Sequence, residues 1–127
     1  MKEEARKFLE KANRTLQAAE TLLRGGDFES AAGRCYYAML HAAQALLRDR
    51  DLRYRKHAAV HAAYGEHFAK TGLLDPKYHR WLLDAFDERL RGDYDIDVSF
   101  DPESVTKRIE QAREFLAAAK TYLESAK

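Results

Sequence analysis

Apolar side chains recur every three or four residues through almost the whole of this sequence, a spacing that puts them on one face of a helix and gives no sheet a face to bury. The first stretch, Lys2 to Arg24, carries Phe8, Leu9, Ala12, Leu16, Ala19, Leu22 and Leu23 at that spacing and runs into Gly25-Gly26, a helix stop. Asp27 then caps a second stretch that reaches about Asp49, with Phe28, Ala31, Ala32, Cys35, Met39, Ala42, Ala43 and Leu46 inward. Arg48 to Lys56 breaks the period and reads as an exposed connection. A third helix follows from about His57 to Lys70, with Val60, Tyr64 and Phe68 inward and Gly72 as its stop.

The only two prolines mark the last two starts. Asp75-Pro76 and Asp101-Pro102 each pair an N-cap residue with a proline at the first helical position. They open a helix from Pro76 to about Leu90, with Trp81, Leu82, Ala85 and Phe86 inward, and a final helix with Val105, Ile109, Ala112, Leu116, Ala119 and Leu123. Between them GDYDIDVSF, Gly92 to Phe100, alternates polar with apolar but holds too much aspartate for a strand and has no second strand to pair with, so it reads as a loop. The expected fold is all-α, an antiparallel four- to five-helix up-and-down bundle. At 127 residues without repeat or linker, one domain over 1–127 is expected.

Charge and cysteine content narrow the function classes. The formal net charge is +1, so any anionic partner must be met by a local patch rather than by the field of the whole molecule. A single cysteine, Cys35, excludes an internal disulfide and a cysteine-based zinc site, and its apolar neighbours predict a small buried side chain. No apolar run approaches the roughly 18 residues of a membrane span, and Met1 leads into KEEARKF rather than a signal peptide, so a cytoplasmic protein with no membrane partner is expected.

The order of motifs is informative. AAGRCYYAMLHAAQALL in the second helix is followed by the basic RYRKH connection, then by HAAYGEHFAKTGLLDPKYHRWLLDAFDERLRGDYD and a last amphipathic helix. This resembles a small prokaryotic HEPN protein (higher eukaryotes and prokaryotes nucleotide-binding) over nearly the whole chain. The resemblance implies a helical bundle, a homodimer, and a partner minimal nucleotidyltransferase in a toxin–antitoxin or related module that handles a nucleotide or RNA. Many members of that family are metal-independent endoribonucleases that use an Arg and a His separated by four to six residues. Here the count from Arg89 reaches Tyr94 where the pattern has His. A tyrosine with an ordinary pKa near ~10 is a poor general base at neutral pH.

The resemblance and the residues together give the candidate site. Arg34 and His41 lie about two helical turns apart on one face with Tyr37 between them, an arrangement that could hold a phosphate beside a proton-moving imidazole. Arg34, Tyr37, Arg89 and Arg91 are the candidate nucleotide or phosphate contacts, joined by Arg53, Arg55, Lys56 and His57 of the basic connection, where Tyr54 adds an aromatic surface. The candidate catalytic residues are His41 and Tyr94. A non-catalytic accessory module is the leading expectation; an endoribonuclease toxin and a structural docking subunit are the alternatives. No cofactor or metal is expected: His57 and His61 lack a third ligand, and Asp93, Asp95 and Asp97 fail a calcium loop because Val98 and Ser104 stand where Gly and Glu are needed.

Overall fold

The computed structural model describes residues 1–125. Five α-helices run in order through them: α1 Glu3–Arg24, α2 Phe28–Arg48, α3 His57–Tyr64, α4 Lys77–Tyr94 and α5 Pro102–Ser125. No strand forms among the described residues, so the all-α bundle expected from the periodicity is the fold.

Helix α2 is the axis of the molecule. Twelve of its 21 residues are buried, far more than one amphipathic stripe, because α1, α3, α4 and α5 all pack on it. Ala31, Ala32, Ala38, Ala42, Ala43 and Ala45 make this feasible: their small side chains let neighbouring backbones approach while Tyr36, Met39, Leu40, Leu46 and Leu47 fill the space between. Cys35 is buried among them, and burial pushes its thiol up to about 12, which leaves it unreactive at neutral pH.

The turns follow local chemistry. Helix α1 closes in a Schellman arrangement, with Asp27 N–H on the Leu22 carbonyl and Gly26 N–H on the Leu23 carbonyl; Gly26 supplies the left-handed φ of 84°. Helix α2 ends the same way with Asp51 at φ 61°, and there Lys2 pairs with the Asp51 carboxylate. Asp27 and Asp101 accept from the backbone N–H groups of Ser30 and Ser104, while Asp75 accepts from that of Lys77.

Two elements differ from the periodicity reading. The third helix continues as a π-helical turn, Gly65–Ala69, closed by the Lys70 N–H on the Gly65 carbonyl at 2.8 Å. At Gly65, where this turn begins, a Cβ would lie 2.6 Å from His79 Cε1, so the α4 imidazole occupies the space that a side chain would take. Helix α4 also passes Leu90 and continues to Tyr94. Gly92 does not stop it. Its bare Cα accommodates the returning Phe100 ring, whose Cζ would be 3.1 Å from a Cβ at that position.

The same substitution should therefore have opposite signs at two helical glycines. Gly65→Ala is expected to destabilise by about 1–3 kcal/mol through overpacking against His79. Gly33→Ala, in open space on α2, should stabilise by up to about 1 kcal/mol. Equilibrium denaturation of the two variants checks both.

Candidate functional site: an arginine-lined aromatic cleft between α2 and α4

Glu29, Ser30, Gly33, Arg34 and Tyr37 recur along one face of α2, and this face meets Arg89, Gly92 and Asp93 of α4 with Phe100 as a side wall. Together they enclose a cleft of about 220 Å³. Arg89 is its centre. The guanidinium carbon lies 4.9 Å from the centroid of the Tyr37 ring and 6.0 Å from that of Tyr36, and Nη1 reaches the Asp93 carboxylate at 3.2 Å. A guanidinium on an aromatic face keeps its edge donors available to an anion. With side chains 28% and 47% exposed, the i,i+4 pair with Asp93 contributes only about 0.3–0.5 kcal/mol. Arg34 lines the same cleft, is exposed, and has no ion-pair partner among the described residues.

A second set of aromatic and imidazole groups adjoins the cleft. Tyr37 takes the His57 ring edge-on at 5.8 Å and the His41 ring at 6.2 Å. His41 sits one turn beyond the cleft, half-buried beside Phe8, with Nδ1 2.9 Å from Gln44 Oε1. Burial holds its pKa below the ordinary imidazole value against the Gln44 bond, which raises it, and the charges of Lys11, His57 and Arg34 lower it further. His41 is thus neutral near pH 7, with Nδ1–H donated to Gln44 and Nε2 free to accept a proton.

Underneath, Tyr36 Oη and His61 Nε2 are 2.8 Å apart in the core, and the His61 carbonyl accepts from His79 Nε2 at 3.1 Å. Burial is the main reason that the His61 pKa falls to about 4, with His57 and His79 adding to it, and burial raises the Tyr36 hydroxyl well above its ordinary value. A neutral His61 accepting from a neutral Tyr36 fixes the ring that backs Tyr37 and Arg89.

The candidates therefore separate. Arg34, Tyr37 and Arg89 come together in the cleft, with His57 and His41 against Tyr37. Tyr94 does not join them: five residues beyond Arg89 it lies about 140° around the helix, and it is 85% exposed. Arg91 lines a different groove with Glu88, Val98 and Phe100. The basic connection disperses. Arg53 and Arg48 both bind Glu4 on α1, at 3.0 and 2.8 Å, and Arg50 binds Tyr122 Oη while lying over Phe68. Of that run Arg50, Arg55 and Lys56 are exposed without an ion pair among the described residues, and Arg50 is engaged by Tyr122 and Phe68. No cluster of three or more metal-ligating side chains occurs among those residues either. Glu29, Ser30, Gly33 and Phe100 were not singled out by sequence, and Asp93 drew attention only as part of a rejected calcium loop. The i,i+4,i+8 spacing from Glu29 through Gly33 to Tyr37 carried the signal for the α2 wall, whereas nothing local marks Phe100.

An all-helical bundle with an arginine-lined, aromatic cleft between its second and fourth helices is the class that these features define. The chain belongs to the HEPN family: residues 5–123 match the HEPN domain. A Methanocaldococcus jannaschii protein named "Putative toxin" is 31% identical over 98% of this chain and 84% of its own length. A second M. jannaschii protein of the same name is 32% identical over 82% and 78%. A Thermotoga maritima "UPF0332 protein" is 34% identical over 92% and 89%. No described helix is long and apolar enough to cross a membrane.

The buried imidazole makes stability depend on pH. Unfolded, His61 titrates near 6.5; folded, near 4, so between these values the unfolded chain binds the extra proton and stability falls as pH falls. The contribution is present above pH 6.5 and is lost progressively toward pH 4, to a total of about 3 kcal/mol. Urea unfolding at pH 7, 5.5 and 4.5 should show that decline, and His61→Gln should flatten it.

Proposed function

We propose that this chain is a toxin-type HEPN module whose α2–α4 cleft binds a phosphate of a nucleotide or RNA, and that it works as a binding module rather than through catalysis of its own. The observation that carries this reading is the Arg89 guanidinium lying 4.9 Å over the Tyr37 ring in the same cleft as Arg34. Two guanidiniums meet the phosphate oxygens, and the aromatic rings of Tyr37 and Phe100 offer surfaces for a sugar or base. The relatives named as toxins support the toxin-type reading. A second copy of the chain and a minimal nucleotidyltransferase remain its proposed partners, with the cytoplasm as the proposed location.

A second reading, an endoribonuclease, is favoured by one observation. His41, neutral and oriented through Gln44, has Nε2 free to take the proton of a ribose 2′-hydroxyl. The 2′-oxygen then attacks the adjacent phosphorus while Arg34 holds the phosphate, and the bond from phosphorus to the 5′-oxygen breaks, that oxygen leaving with a proton from water and a 2′,3′-cyclic phosphate remaining. Tyr94 has no comparable partner or setting.

Fluorescence anisotropy with a short labelled oligoribonucleotide tests the leading reading. Arg34→Ala and Arg89→Ala should each weaken binding by about tenfold or more, as loss of a charge-assisted contact does. Arg80→Ala, on the exposed side of α4, should leave it unchanged. Equal binding by all four proteins would reject the cleft as the site. Incubation with an RNA pool free of metal should give no cleavage; cleavage abolished by His41→Ala would replace this reading with the second.

A further inference from the structure

We propose that the Asp93 carboxylate sits in the seat of a terminal phosphate group, so that ligand binding and the Arg89–Asp93 ion pair exclude one another. The proposal rests on the reading of the cleft as a phosphate site. A carboxylate and a phosphate offer a guanidinium the same pair of acceptor oxygens, so whatever holds Asp93 at 3.2 Å also fits a phosphate. With its face on Tyr37 and Nη1 beside the Asp93 carboxylate, Arg89 would hold a phosphate dianion directly against that carboxylate, and like-charge repulsion sets the two in competition.

The pair is built to open. Asp93 is the penultimate residue of α4, where the carbonyl end of the helix dipole disfavours a carboxylate. Its side chain is 47% exposed, and the chain leaves the helix at Asp95 in an extended conformation, so the carboxylate can turn to water. An incoming phosphate brings more charge and more acceptor oxygens than the carboxylate that it displaces.

Size and charge indicate which phosphate. At about 220 Å³ the cleft is smaller than the roughly 300–1,000 Å³ of sites that enclose a whole small molecule. It accommodates a phosphate with part of its sugar. The two guanidinium charges of Arg34 and Arg89 balance the double charge of a phosphomonoester more closely than the single charge of an internal phosphodiester. Glu29 on the rim opposes a second anion, which limits the site to one such group. The chemical class is therefore a phosphate terminus, carried by a mononucleotide or by the end of an RNA chain.

Isothermal titration of the full chain with 5′-AMP, a 5′-phosphorylated tetraribonucleotide and the same tetranucleotide with a 5′-hydroxyl tests this. The wild type should prefer the phosphorylated tetranucleotide to the hydroxyl form by at least about fivefold, and Asp93→Asn should bind both phosphorylated ligands about three- to tenfold tighter by removing the internal competitor. Asp97→Asn removes the same charge from the exposed loop and should change nothing. AMP binding tighter than the phosphorylated tetranucleotide identifies a mononucleotide ligand, the reverse an RNA end, and both agree with the proposal. Weaker or unchanged binding by Asp93→Asn would overturn the placeholder role and make Asp93 a residue that positions Arg89, with the phosphate site intact. Equal affinity for the phosphorylated and hydroxyl forms would overturn the terminal phosphate. No binding of any of the three by either protein would overturn the phosphate site and this inference with it.

Discussion

Close packing around α2 is the constraint on which everything else depends. A helix buried on most of its circumference can accept four neighbours only if its side chains alternate between very small and large, and α2 does this with six buried alanines set among Tyr36, Met39, Leu40, Leu46 and Leu47. The same close approach of α4 to α2 brings Arg89 over Tyr37. Enlarging an alanine on this helix would separate the helices and so move the guanidinium from the ring. Fold and site are thus set by one interface.

The site sits where that interface opens toward solvent. Arg89 is held from three sides by groups of different character: an aromatic face, a carboxylate at the helix end, and behind them the Tyr36–His61 hydrogen bond that fixes the supporting ring. None of these saturates the guanidinium as a buried ion pair would. By contrast Arg108, paired with Glu88 in a poorly exposed position, and Arg53, paired with Glu4, are committed to structure. What separates the arginines proposed to bind from the structural ones is the partner that each has found, rather than its exposure.

Much of the fold was legible in the sequence because each helix carries its own signals. The Gly25-Gly26 stop, the Asp27 cap and the two Asp-Pro starts act locally, and the structure places all of them at helix ends. The π-helical turn and the continuation of α4 past Gly92 were not legible; at both glycines a ring from elsewhere in the chain takes the place of a side chain, His79 at Gly65 and Phe100 at Gly92. The cleft was legible in part. Arg34, Tyr37 and His41 share a face by helical periodicity alone, whereas the pairing of Tyr37 with Arg89 depends on how α4 packs, and the run from Arg48 to His57 reads as one basic stretch although Glu4 and Tyr122 engage three of its arginines.

The central claim is that anionic ligands enter between α2 and α4 rather than on the basic connection. Backbone amide NMR shifts, recorded during titration with a short 5′-phosphorylated oligoribonucleotide, test it most directly. The account predicts that the changes cluster at Ser30, Gly33, Arg34, Tyr37, Arg89, Gly92 and Asp93. Changes centred on Arg55 and Lys56, with the α2 and α4 amides undisturbed, would contradict it.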